Sequence, residues 1–134
     1  MPESAASPFS YAIVRVVPRV ERGERFNAGV VLYARQRKFL GARVHLDERR
    51  LAALAPDVSA ADVRAHLEAL VRVAGGDPGC GPIAGMSQSE RFGWLVAPSS
   101  TVIQPSEVHT GLSEDPQATL DALFAELVEP VPAP

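Results

Sequence analysis

Three apolar, β-branched segments follow one another within the first 46 residues, and polar connections separate them. The segments are FSYAIVRVVP at 9–18, AGVVLYAR at 28–35 and FLGARVHL at 39–46. The first is apolar on both faces, which is typical of a central strand, whereas the third alternates apolar residues with Arg43 and His45. Because antiparallel neighbours need only a short connection, these segments predict a three-stranded antiparallel meander.

Helical patterns and one more extended segment make up the rest of the chain. Asp47 is a suitable N-cap for ERRLAALA, Ser59 opens a capping box for AADVRAHLEALVRVA, and Asp115 precedes a helical pattern at 116–128. SQSERFGWLVAP predicts a helical turn, and STVIQPSEVHTG predicts an edge strand interrupted by Pro105. This order predicts an α+β fold, in which an antiparallel sheet of the meander and a later edge strand packs with helices.

The length of 134 residues is that of one domain. We expect a single α+β domain at 9–128, between a disordered segment at 1–8 and a disordered proline-rich tail at 129–134. No apolar run approaches the roughly 20 residues that a membrane helix needs, and the opening MPESAASPF lacks the features of a secretory signal. These observations predict a cytoplasmic protein with no membrane contact.

Familiar patterns of catalysis and cofactor binding do not occur in the sequence. His45, His66 and His109 lie far apart in the chain, and the single Cys80 excludes both an intramolecular disulfide and a CxxC zinc site. The glycines form neither a dinucleotide-binding pattern nor a P-loop. We therefore expect no metal and no cofactor, and a role outside catalysis is favoured.

Charge is distributed unevenly along the chain. Residues 1–50 carry nine arginines and one lysine against five acidic residues, whereas residues 51–134 carry three arginines against eleven acidic residues. A basic first half is compatible with nucleic-acid binding, because arginine and lysine neutralise phosphates. The overall net charge of -3 and the aromatic content of 6% argue against a strongly basic surface or a base-stacking platform.

Two stretches concentrate polar side chains next to predicted strands. RVERGERFNAG alternates arginine with glutamate and ends near Asn27, and PSSTVIQPSEVHTG gathers hydroxyl, amide and imidazole groups. If the edge strand lies beside the meander, one polar end of the sheet is lined by Arg15, Asn27, Ser99, Gln104 and His109. A solvated hairpin tip, together with local turns made by serine and threonine, explains the same residues without a site.

These two stretches also carry a family resemblance. The first, YAIVRVVPRVERGERFNAGVVLYARQRKFLGARV, and the second, RFGWLVAPSSTVIQPSEVHTGL, together resemble the bacterial Domain of Unknown Function 3037 family over about residues 9–128. Ala28 stands where the family pattern has a bulkier residue. The resemblance implies no established activity; it implies a protein partner, a kinase of the HipA-like kind. The candidate binding residues are Arg15, Arg22, Arg25, Asn27, Arg91, Ser99, Gln104 and His109.

The sequence supports three hypotheses about function. The leading one is an accessory or interaction protein, the partner or regulator of a HipA-like kinase. The second is a nucleic-acid-binding module that uses the arginine-rich first half. The third is a small hydrolase or transferase in which His109 acts as acid or base while Arg15 or Arg91 holds an anion.

Overall fold

An antiparallel five-stranded sheet organises the chain. The computed structural model describes residues 5–130, and the α+β fold predicted from the sequence is confirmed. Its elements in chain order are β1 (Ser7–Val16), β2 (Phe26–Ala34), β3 (Phe39–Val44), α1 (Glu48–Leu54), α2 (Ala60–Ala74), α3 (Gln88–Leu95), β4 (Ile103–Pro105), β5 (His109–Ser113) and α4 (Pro116–Leu127).

The strands β3, β2 and β1 form the predicted meander, in which β1 is the strand that also pairs with the rest of the sheet. Both β4 and β5 pair antiparallel with the other side of β1, β4 along Val14–Val16 and β5 along Ser7–Tyr11. The predicted edge strand is therefore present in two pieces. Because it pairs along almost all of β1, that strand is central, as its two apolar faces predict.

Ser106 closes the gap between β4 and β5. Its amide donates a hydrogen bond of 2.8 Å to the carbonyl oxygen of Ile13, and its hydroxyl oxygen accepts one of 2.8 Å from the Ile13 amide. Ser106 is buried. A side chain thus supplies the acceptor that the backbone of an uninterrupted strand would supply, and the polar backbone of β1 stays satisfied.

A β-bulge in β2 changes which face of the sheet the side chains on either side of it point to. Val14 pairs with Gly29, but the next residue, Arg15, pairs with Asn27, so Ala28 is the additional residue on β2. Its carbonyl oxygen accepts a hydrogen bond of 2.8 Å from the amide of His45. The bulge places Asn27 on the same face as Arg15, which an unbroken alternation from Val30 would not do.

The two faces of the sheet support separate groups of core residues. On one face, Val14, Val16 and Val31 pack with Leu67 of α2 and Phe92 of α3. The other face is covered by α4, which brings Leu120, Phe124 and Val128 against Phe9, Val30 and Leu32. Since β2 contributes to both groups, burial on either side stabilises the same sheet.

The predicted helix caps are confirmed. The side chains of Asp47, Ser59 and Asp115 accept hydrogen bonds from backbone amides of the first turns of α1, α2 and α4, and Ser87 does the same for α3. Each such cap satisfies one amide that the helix itself leaves without an acceptor, a contribution of roughly 1 kcal/mol. Pro116 occupies the first turn of α4, as its sequence position predicts.

The termini differ partly from expectation. β1 begins at Ser7, inside the stretch 1–8 for which disorder is predicted, because Ser7 and Pro8 pair with Ser113 and Leu112. Residues 1–4, like residues 131–134 of the predicted tail, lie outside the described residues. Among residues 5–130, no helix has both the length and the apolar character needed to cross a bilayer.

Candidate functional site

Three of the predicted binding residues form one row across the sheet. Arg15 of β1 pairs with Asn27 of β2 on one side and with Gln104 of β4 on the other, and all three are half-buried. Cross-strand partners point to the same face of a sheet, so the guanidinium and the two amides project side by side. The predicted meeting of the two polar stretches at the sheet is present in this row.

His109 extends the row along β1. It pairs with Tyr11, which lies four residues before Arg15 and therefore on the same face. The rings of Tyr11 and His109 are tilted against each other with their centroids 5.2 Å apart. The imidazole Nε2 lies 3.6 Å from the Oε1 of Glu107. That distance exceeds hydrogen-bond length, so the two groups attract each other without a fixed geometry.

Glu107 lies among the cations of this surface. A hydrogen bond from its own backbone amide lowers the pKa of its carboxyl group below the ordinary value, and the charges of His109, Arg15 and Arg25 lower that pKa further. The carboxylate is therefore ionised at neutral pH. We call this surface the basic patch and define it by Arg15, Arg25, Asn27, Gln104, Glu107 and His109.

The amides of the patch are already engaged in the fold. The Nδ2 of Asn27 donates a hydrogen bond of 3.0 Å to the carbonyl oxygen of Leu127 in the last turn of α4. The Nε2 of Gln104 donates one of 2.9 Å to the carbonyl oxygen of Thr101. Asn27 thus satisfies a carbonyl that the helix end leaves free. Each of the two amides uses a donor within the fold, and we therefore do not count them as the main donors to a ligand.

Arg15 and Arg25 differ from the two amides in this respect. Among residues 5–130, neither guanidinium makes a hydrogen bond to another side chain or to the backbone, and neither lies within 4.0 Å of a carboxylate oxygen. The Arg15 side chain is half-buried and that of Arg25 is exposed, so the hydrogen-bond donors of both guanidinium groups are open to a ligand.

Arg22 and Arg91 lie outside the basic patch. Arg22 pairs with Glu24 in the exposed connection between β1 and β2. Arg91 donates hydrogen bonds to the carbonyl oxygens of Met86, at 2.6 Å, and Ala74, at 3.4 Å. Its Nε is buried with no hydrogen-bond partner among the described residues. Arg91 therefore ties the start of α3 to the end of α2, which is a structural role.

Ser99 lies on the other face of the sheet. It lines a cleft of about 140 Å³ together with His66 of α2 and Trp94 of α3, whose indole is half-exposed. Its hydroxyl is 2.9 Å from that of Thr101 and also accepts a hydrogen bond from the Thr101 amide. The local serine–threonine turn that the sequence permits is the arrangement found here.

Glu107 is the member of the patch that sequence reasoning did not single out. It stands two residues before His109 in PSEVHTG, a separation that places two side chains on one side of an extended chain. The two-residue separation of Glu107 and His109 was therefore the sequence signal that could have added Glu107 to the candidate site. Its place beside the strand that carries Arg15, by contrast, depends on the pairing of β4 and β5 with β1.

Several basic residues of the first half already have partners in the fold. Arg19 pairs with Asp57, Arg22 with Glu24 and Arg43 with Asp121, and Arg37 donates hydrogen bonds to Ser7 and to the backbone of Ala5.

Within the described part of the chain, no three histidine, cysteine or acidic side chains are grouped as metal ligands.

The fold and the patch define a class of protein: a small α+β domain that presents arginines and an imidazole on one face of an antiparallel sheet. The model of the family described as Protein of unknown function (DUF3037) matches residues 11–128, and the chain belongs to this family. All six residues of the basic patch lie inside the matched range. No curated protein and no solved structure matches the chain.

Proposed function

We propose that the chain is a cytoplasmic accessory protein that binds a partner protein through the basic patch, and that the partner is a HipA-like kinase. The observation that carries the proposal is the row Arg15, Asn27 and Gln104, extended by His109. It joins the two most distinctive stretches of the sequence on one surface. The kinase itself comes from the family resemblance.

The chemistry of the patch favours binding over catalysis. Two arginines that have no side-chain or backbone partner among residues 5–130, together with an imidazole, offer donors to an anionic group. A guanidinium holds a carboxylate or a phosphate through two parallel hydrogen bonds. Glu107 is too far from the His109 imidazole to orient it by a hydrogen bond, which is the usual support of a general base. We therefore favour an acidic surface of the partner as the ligand.

Isothermal titration of the full chain with the HipA-like kinase of the same host tests this proposal. We expect a one-to-one complex that buries at least about 1,000 Å². Arg25→Glu should weaken it by roughly ten-fold or more, because hydrogen bonds to charged groups contribute about 1.5–3 kcal/mol.

Arg22→Glu is the matched control for this experiment. It makes the same charge change in the same connection, but Arg22 pairs with Glu24 outside the patch. The control should therefore bind close to the wild-type affinity. Absence of a complex contradicts the proposal, and equal weakening by the two variants assigns the effect to overall charge instead of the patch.

A further inference from the structure

We infer that Glu107 occupies an anion-binding position of the basic patch, and that a carboxylate or phosphate group of the ligand takes its place. The inference rests on the proposed function, because it names the chemistry that the same site recognises. It assigns Arg15, Arg25 and His109 as the groups that contact the anion, and Glu107 as a competing group of the protein itself.

The Glu107 carboxylate lies next to the His109 imidazole. It is the anionic group in contact with that imidazole, and the charges of Arg15 and Arg25 lower its pKa. A point that attracts one carboxylate from three cationic or polar groups attracts another carboxylate, or a phosphate, for the same reason.

The Glu107 side chain is weakly held. It is 76% exposed, its contact with His109 spans 3.6 Å, and its other interaction named above is with the amide of its own residue. Its backbone is fixed, because the Ser106 hydroxyl donates a hydrogen bond of 2.8 Å to the Glu107 carbonyl oxygen. The carboxylate can therefore leave by side-chain rotation alone, without a change in the strands on either side.

The arginines of the basic patch differ from several other arginines in their ion pairing. Arg19, Arg22 and Arg43 each have a carboxylate partner within 4.0 Å, whereas Arg15 and Arg25 have none among residues 5–130. Arg15 is half-buried and Arg25 is exposed. An incoming anion that reaches both guanidinium groups supplies hydrogen bonds that Glu107 does not make.

The anion can come from a free small molecule or from an acidic side chain of the partner protein, since the recognition chemistry is shared. The first arm of the test uses inorganic phosphate as the probe. The full chain is titrated at constant ionic strength, and the amide resonances of Arg15, Gln104 and His109 are followed by NMR. We expect saturable shifts that are centred on the patch.

Two substitutions should change the phosphate affinity in opposite directions. Glu107→Gln removes the competing carboxylate and should tighten binding by about three- to ten-fold, whereas Arg15→Gln should weaken it by about ten-fold. Glu68→Gln is the matched control, because it makes the same charge change on α2, at the opposite face of the sheet. Arg25→Gln, at an exposed position, replaces Arg15→Gln if that variant does not fold.

The results separate this inference from the proposed function. Equal phosphate affinity of Glu107→Gln and Glu68→Gln, or no phosphate binding by either the wild type or Glu107→Gln, overturns the inference even if the kinase complex forms. Patch-centred binding that Glu107→Gln tightens supports it, even if no kinase complex forms.

The second arm identifies the source of the anion, and it adds phosphate to the kinase complex. Release of the kinase by phosphate, together with a tighter complex of Glu107→Gln, supports an acidic side chain of the partner as the anion. A kinase complex that is unaffected by saturating phosphate overturns that source and leaves the free anion as the ligand.

Discussion

The side chain of Ser106 supplies a hydrogen-bond acceptor that a backbone carbonyl supplies elsewhere in the sheet. The chain leaves the sheet between β4 and β5, and Ile13 lies between the two stretches of β1 that pair with these strands. Ser106 satisfies the amide of Ile13 through its hydroxyl and the carbonyl of Ile13 through its own amide. The same residue fixes the backbone of Glu107 in the basic patch.

Replacing Ser106 with alanine should therefore lower stability. The amide of Ile13 would be left buried without an acceptor, and such a loss costs about 1–3 kcal/mol. Urea denaturation of Ser106→Ala should show this decrease in the free energy of unfolding. Ser100→Ala, at an exposed position, should stay within about 0.5 kcal/mol of the wild type. An equal effect of the two substitutions would contradict the role assigned to Ser106.

At the scale of the element, the bulge in β2 decides which residues share a face. Gly29 lies in the bulge, and a Cβ atom added there would be 2.7 Å from the carbonyl oxygen of Arg43 and 2.8 Å from a methyl carbon of Val44. The absence of a side chain thus permits the close approach of β3. Without the bulge, Asn27 would not project beside Arg15.

Two glycine substitutions should have opposite effects on stability. Gly29→Ala forces a carbon against the backbone of β3, and we expect a loss of about 1–3 kcal/mol, as for other overpacked interiors. Gly93→Ala, in the middle of α3, meets nothing within 4 Å and should stabilise the protein by about 0.5–1 kcal/mol. Thermal and urea unfolding of both variants measures the difference, and a stable Gly29→Ala would show that the strands can separate without cost.

For the whole molecule, the sheet is shared by two cores. Leu67 packs on the face covered by α2 and α3, and Leu120 packs on the face covered by α4. Both are almost fully buried. Because β2 contributes to both cores, loss of either removes support from the strands that position the basic patch.

Truncation on either face should therefore affect one common unfolding transition. Leu67→Ala and Leu120→Ala should each lower the free energy of unfolding by about 2–5 kcal/mol. The fluorescence of Trp94, which is the single tryptophan and lies in α3, should report the same midpoint as far-ultraviolet circular dichroism in both variants. Two separate midpoints in Leu120→Ala would show that the α4 core unfolds independently.

Much of the architecture could be predicted from local signals. The meander follows from apolar segments with short connections, and the helices follow from Asp47, Ser59 and Asp115 at their starts. These signals depend on interactions between residues close in the chain, which a sequence displays directly. The edge strand was predicted with an interruption at Pro105, and the structure has β4 end at that residue. The hydrogen bonds of Ser106 with Ile13 at this interruption were not predicted, because they connect segments that lie far apart in the chain.

The site was predictable only in part. The sequence by itself determined which polar residues stand on strands, including Arg15, Gln104 and His109, because strand periodicity is local. Tertiary structure alone decided that Arg91 supports two helices, that Ser99 faces the opposite side and that Glu107 joins the patch. The physical reason is that strand register and helix packing, which are long-range, set the distances between these charges.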